Sequence, residues 1–265
     1  MKRLPAYAVA AAVTSLLCIS VIMADTARRH AQKEKTCSGI TVEYSDDEEM
    51  RFVSEKDIRE YISREYGNCK GKRLEDIELP KIEKIISSKS AVRQSDAYLT
   101  SDGMIHILVS QREPVLRMVI GGMNWYADSE GFIFPINRNY TPMVPVADGA
   151  IPIELSKGFK GKAPTPKGRK WMEEILSVID FTANDGKWRD SISQIRTDKD
   201  RGLIIVPTKG RERFVIGDAV GIGEKFDKIE DYYRYIVPLK KNYTVVDVSF
   251  RGQIVCANKS YRYGQ

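Results

Sequence analysis

The sequence predicts an α+β protein in three parts: a single N-terminal transmembrane helix, a β-α-α-β-β module, and a larger β-rich domain with two helices packed on a mostly antiparallel sheet. Three observations carry this expectation. Pro5 to Ala24 is an uncharged run of twenty residues. From Cys37 to Glu113 the apolar spacing changes from two to 3.6 and back to two, with turn residues at the changes. Beyond Pro114 strand-like runs dominate, and two segments keep a helical spacing.

Twenty helical residues rising about 1.5 Å each cover a hydrocarbon core of about 30 Å, which reads Pro5 to Ala24 as an uncleaved anchor. The rival is a cleaved signal peptide. A basic start fits it, but Ile22-Met23-Ala24 puts a bulky residue where cleavage needs a small one. Residues 1–4 are then a tail, 5–24 the anchor and 25–36 a polar linker. Direction is a separate question. Lys2 and Arg3 precede the span, and Arg28, Arg29, Lys33 and Lys35 follow it, so the cation count alone places the body in the cytoplasm.

The body of about 240 residues has room for one large or two ordinary domains. The chain is 42 % hydrophobic and 29 % charged, with a net charge of +6. Its cations are scattered among acids. No arginine-rich stripe alternates with aromatics, so the surface reads as solvated and not as a nucleic-acid footprint. The cysteines Cys18, Cys37, Cys69 and Cys256 form no C-x-x-C pair. With only His30 and His106 beside them, they lack the number and spacing of a zinc site, and no cofactor is expected. Cys37 and Cys69 are a candidate disulfide in an oxidising compartment, because the start of the first strand can lie beside the end of the first helix. Two free thiols are the alternative.

Ile40, Val42 and Tyr44 alternate with polar residues as a half-buried strand. The acidic run Asp46 to Glu49 lacks the spaced ligands and glycine of a calcium loop and reads as a solvated turn. Ser54 with Asp57 three residues later forms a capping box, with Val53 and Ile58 as a staple, for a helix buried through Ile58, Tyr61, Ile62 and Tyr66. A second helix starts near Pro80 and turns Ile82, Ile85 and Ile86 inward. Ala97 and Leu99, the Ser101-Asp102-Gly103 turn, and Ile105, Ile107 and Val109 make a hairpin. His106 points to the other face, with no carboxylate near it in sequence, and reads as a surface residue.

The module ends at 113, and a β domain is expected over 114–258, followed by a tail at 259–265. Val115 to Ile120 is a strand, and Trp125 to Ala127 and Phe132 to Phe134 make a hairpin. Thr141 to Pro152 reads as loop and edge strand because of its prolines. Gly158 to Gly168 is a basic loop, and Lys167 to Phe181 a helix with Trp171, Ile175, Leu176 and Ile179 on one face. Strands follow near 192–195, 203–206 and 214–216. Gly217 to Gly223 is glycine-rich at the wrong spacing for a dinucleotide fingerprint. A helix from Glu224 to Ile236 should bury Phe226, Ile229, Tyr233 and Ile236. Strands Thr244 to Phe250 and Gln253 to Ala257 close the chain around Arg251-Gly252.

The chain resembles the FtsQ/DivIB family of bacterial cell-division proteins, in its Bacteroidetes-type branch. Gln111-Arg112-Glu113-Pro114-Val115-Leu116-Arg117 is similar to that family's junction between a POTRA module and a β domain. Asn124 to Pro135 is similar to its hairpin of tyrosine, aspartate and glycine before a hydrophobic strand, and Val246 to Cys256 to its closing hairpin. The resemblance implies a POTRA-like first module and a body in the periplasm, against the cation count. It also implies a non-enzymatic scaffold that joins FtsB- and FtsL-type membrane proteins and helps control septal peptidoglycan synthesis. Phe250, Gly252, Ile254 and Cys256 are the partner-binding residues it implies. Only four residues precede the span, so no contact through a cytoplasmic tail is expected. Two other readings remain on the residues: a POTRA-type docking or chaperone module of an export system, and an anchored cell-wall hydrolase. The hydrolase has no histidine triad to draw on, and no spacing singles out a carboxylate pair.

Overall fold

A computed structural model of the chain describes residues 14–25, 35–45, 52–136, 141–241 and 243–258. A helix α1 covers 14–25, the second half of the predicted anchor with one residue beyond it, and its side chains are exposed. Residues 5–13 and the acidic run Asp46 to Glu49 lie outside the described residues. Among the described residues no helix is long and apolar enough to cross a membrane. The chain divides into two units, Met1–Glu49 with Val53–Gln111, and Met50–Phe52 with Arg112–Gln265.

The first unit carries β1 (Gly39–Tyr44), α2 (Glu55–Glu65), α3 (Leu79–Ser87), β2 (Val92–Leu99) and β3 (Met104–Gln111). Its sheet runs β1-β3-β2, with β1 parallel to β3 and β2 antiparallel to it. The two-helix crossover makes the parallel pairing feasible, since a short hairpin cannot. The Ser54 hydroxyl accepts from the Asp57 N–H at 3.2 Å, and the Asp57 carboxylate accepts from the Ser54 N–H at 2.9 Å. Two orphan donors at the helix start are thereby satisfied. Ser54→Ala is expected to cost about 1 kcal/mol, read as a lower midpoint in urea. Ile58 and Ile62 of α2, Ile82 and Ile86 of α3, and Ile105, Ile107 and Val109 of β3 are all buried.

His106 departs from its reading as an unpartnered surface residue. Its Nδ1 lies 2.8 Å from Glu43 Oε1, and its ring stacks on Tyr98 at 5.1 Å and 11°. The parallel register, with Thr41 opposite His106, brings Glu43 of β1 within reach across 63 positions of sequence.

The second unit carries β4 (Pro114–Ile120), β5 (Met123–Asp128), β6 (Ile133–Pro135), β7 (Val146–Gly149), α4 (Pro166–Asn184), β8 (Ile192–Asp198), β9 (Gly202–Pro207), β10 (Arg213–Gly217), α5 (Ile222–Asp231), β11 (Val245–Asp247) and β12 (Val255–Ala257). They form one nine-stranded sheet in the order β12-β11-β10-β9-β8-β7-β4-β5-β6. β7 is parallel to β4 and β8, and β11 is parallel to β10. The other five pairings are antiparallel. Helices α4 and α5 cover one face. Trp171, Met172, Ile175 and Val178 of α4 and Phe226 and Ile229 of α5 join Leu116, Met118, Ile195, Ile205, Phe214 and Val246 in one core. Ile204, Val215 and Val245 form a small cluster apart from it.

Two expectations change here. The proline-rich stretch holds a central strand, not an edge. Pro145 and Pro152 fall outside β7, so its four residues keep every N–H they need, and Ala147 is fully buried. The last helix stops at Asp231 and passes through a π turn (Tyr232–Ile236) into a 3-10 turn (Val237–Leu239). The wider turn shifts the phase, so Tyr232 is buried while Tyr233 and Ile236 are only half-buried.

The β5–β6 turn is organised by Asp128. One of its carboxylate oxygens accepts from the N–H groups of Glu130 (3.0 Å) and Phe132 (2.9 Å). The other meets Arg112 Nη1 at 2.7 Å.

Candidate functional site

A sheet with two ends has two edge strands, and each leaves a row of N–H and C=O groups facing outward. In the second unit those edges are β6 and β12. β6 is partly covered: the Ile133 N–H donates to the Gly161 C=O at 2.8 Å, and the Gly161 N–H donates back at 3.0 Å. β12 has β11 as its neighbour in the sheet, paired through Val245–Ala257, Val246–Cys256 and Asp247–Val255.

The closing strands are shorter than the sequence suggests, with three residues each, and 248–254 form a shaped loop between them. The Val248 N–H still reaches the Val215 C=O at 3.0 Å, continuing the pairing with β10. The Asp247 carboxylate then accepts from the Ser249 N–H (3.0 Å) and hydroxyl (2.6 Å). From α5, Lys228 Nζ donates to the C=O groups of Val248 (3.0 Å) and Phe250 (2.6 Å). The loop reverses at Arg251-Gly252, where Gly252 has φ +66°, and closes with the Gln253 N–H on the Phe250 C=O at 3.5 Å. A side chain at position 252 would meet nothing within 4 Å, so the glycine serves the left-handed backbone and not a close approach.

The four residues implied by the resemblance therefore have different surroundings. Phe250 is 53 % exposed at the loop crest. Gly252 makes the turn. Ile254 and Cys256 point their side chains at the unit's own core. Burial pushes the Cys256 thiol up, which leaves it a poor nucleophile at neutral pH. Val255, absent from that set, is 46 % exposed. Strand alternation contains the signal for it: if Ile254 and Cys256 face inward, Val255 faces out.

Behind the edge, Tyr232 and Tyr233 pack on Phe214 at 5.6 and 5.7 Å. Burial, then the Glu212 charge, pushes Tyr232 far up and Tyr233 up to about 12, against an ordinary 10.0. A folded value above the unfolded one means that stability is complete below pH about 10 and is lost as pH rises through the folded values. The melting temperature is expected to fall between pH 10 and 12, and Tyr233→Phe to flatten part of that fall in an alkaline melting series.

Phe214 and Tyr233 also face a cleft of about 550 Å³ in this unit, between α5 and β8–β10. Ile192, Ile205, Phe214, Phe226 and Ile229 line it, with Lys187, Arg189 and Lys209 also in the lining. Asp190 is the one carboxylate among its lining residues, not the pair that glycoside cleavage uses.

Residues 113–257, more than half the chain, match the family described as FtsQ/DivIB, C-terminal related. The chain belongs to the FtsQ/DivIB family. Residues 35–110 match the POTRA-like domain. No curated protein matches the chain. Family membership makes this a cell-division protein with a scaffold role, acting through contacts with other division proteins.

Proposed function

We propose that the chain is a non-enzymatic divisome scaffold, held in the inner membrane by Pro5 to Ala24, with its body in the periplasm. There it joins FtsB- and FtsL-type membrane proteins and helps control septal peptidoglycan synthesis. The POTRA-like unit would contribute to placement at the septum. The partner adds a strand to β12, backbone to backbone, and packs apolar side chains on Phe250 and Val255. The observation that carries this reading is the β12 edge itself, the end strand of a nine-stranded sheet with two exposed apolar side chains on or beside it.

Site-specific photocrosslinking in dividing cells tests it, with the crosslinker at Phe250 and Val255 and a control at Arg59 on the exposed face of α2. A crosslink from both edge positions to a small coiled-coil membrane protein is expected. Silence at both, in cells that divide normally on the labelled protein, would remove β12 as the docking edge. Lys228→Met should weaken partner binding about threefold without touching the partner, because it frees the two carbonyls that fix the loop crest.

A further inference from the structure

Three backbone hydrogen bonds bring the two buried cysteines of the POTRA-like unit together. The Cys37 N–H donates to the Lys72 C=O at 2.8 Å, the Gly71 N–H donates to the Cys37 C=O at 2.9 Å, and the Lys72 N–H donates to the Cys69 C=O at 3.1 Å. Both residues are 2 % exposed. In the structure both are free thiols, and neither has a strong partner among the described residues: Cys37 Sγ reaches the Gly39 C=O at 3.4 Å and Cys69 Sγ the Gly67 C=O at 3.9 Å. Burial pushes the Cys69 thiol up, and Cys37 is near enough to add to the rise.

The segment around Cys37 is where the chain arrives from the linker. Lys35 Nζ donates to the Ser101 C=O at 2.8 Å, the Leu74 N–H donates to the Lys35 C=O at 2.9 Å, and the Ser38 N–H donates to the Gly103 C=O at 2.9 Å. Non-covalent contacts thus hold this short segment against 71–74 and 101–103. Any pull transmitted along the linker would act first on these contacts.

We propose that Cys37 and Cys69 are joined by a disulfide that locks the segment arriving from the linker onto the POTRA-like unit. The inference rests on the reading that the body lies in an oxidising compartment. The oxidant is a disulfide-bearing oxidoreductase or small disulfide. One cysteine loses its proton, and its thiolate attacks one oxidant sulfur, breaking that S–S bond and expelling the other sulfur as a thiolate. The second cysteine's thiolate then attacks the mixed disulfide, forms the Cys37–Cys69 bond and releases the remaining oxidant sulfur. Two protons and two electrons leave the chain, and the oxidant ends as a dithiol. Buried thiols with raised values exchange slowly, so the bond forms as the unit folds.

The full chain in detergent, reduced and refolded in a glutathione redox buffer, is alkylated in denaturant and digested with trypsin. Cys37 lies in peptide 36–51 and Cys69 in peptide 65–70. The expected product is these two peptides joined, lighter than their sum by two hydrogens. Reduction should lower the melting temperature of the wild type by about 10 °C and leave the Cys37→Ser, Cys69→Ser double variant unmoved. Full alkylation of both peptides after refolding, or pairing of either cysteine with Cys18 or Cys256, would overturn the proposal. The same digest from cells alkylated at lysis separates the two readings. Joined peptides support both. Alkylated peptides from cells, beside joined peptides in vitro, support the pairing and overturn the oxidising location.

Discussion

Phe250→Ala is expected to weaken binding of the partner strand about 30-fold, and Val255→Asp at least as much. The reasoning starts from what an edge strand offers. Its backbone groups bind any extended chain, so most of the selectivity and much of the affinity must come from side chains flanking the new ladder. Among the described residues, the large apolar side chains exposed on or beside β12 are Phe250 and Val255. Truncating a large aromatic anchor at an interface costs about 2 kcal/mol, and each 1.4 kcal/mol is about tenfold. A charge at 255 acts by a second route, since edge charges are what proteins use to repel added strands. Cys256→Ser should change binding less than about threefold, because its side chain faces the core and only its backbone faces the partner. Gly252→Ala falls between: the position is spacious, but φ +66° costs an alanine about 1 kcal/mol, which would reshape the crest that presents Phe250. Titrating the full chain with the periplasmic segment of an FtsB-type partner reads all four. Wild-type affinity in both Phe250→Ala and Val255→Asp, with unchanged circular dichroism, would sink the edge mechanism.

The parts of this chain legible in sequence are those governed by neighbours. The Ser54–Asp57 box and the isoleucine faces of α2 and α3 rest on spacings of three and four, and they stand in the structure as read. Long-range register was not legible. Glu43 meets His106 only because β1 lies parallel to β3, and nothing near either residue announces that pairing. β7 was hidden for a different reason: prolines argue against a central strand, but here they bracket four residues and spare their N–H groups. The π turn after Asp231 escaped a strict 3.6 period and moved burial from Tyr233 to Tyr232. At the candidate edge, the turn at Arg251-Gly252 was visible. The outward face lies in the strand alternation, which separates exposed Val255 from Ile254 and Cys256 on the core side, and the four residues of the resemblance do not include Val255.

Asp128→Ala is expected to destabilise the second unit by about 3–5 kcal/mol, the range for breaking a buried ion pair, and to lower its melting temperature by about 10 °C. Arg112 and Asp128 are 12 % and 8 % exposed at the side chain, and Arg112 lies 3.5 Å over the Phe132 ring. Arg112 Nε has no hydrogen-bond partner among the described residues, so the pair is already incompletely satisfied. Removing the carboxylate strands the guanidinium in a dry setting and also deprives the Glu130 and Phe132 N–H groups of their acceptor. Asp128→Asn separates the two effects, since an amide oxygen can still accept from the turn while the charge is gone. If the stranded cation dominates, Asp128→Asn is nearly as damaging as Asp128→Ala, and adding Arg112→Met restores most of the loss, because a buried pair can be replaced by apolar groups at little cost. If the turn dominates, Asp128→Asn melts close to wild type and Arg112→Met adds damage. An Asp128→Ala protein melting within about 2 °C of wild type would refute both. The same geometry explains why aspartate and glycine occur three residues apart here. Gly131, at φ +72°, would place a Cβ 3.0 Å from Met172 of α4, so a side chain there is strained by the left-handed backbone and must push Met172 aside by a few tenths of an ångström. Tyr126, Asp128 and Gly131 are then a folding device of the β domain, and substitutions there should act on partner binding only through the stability of the sheet that carries β12.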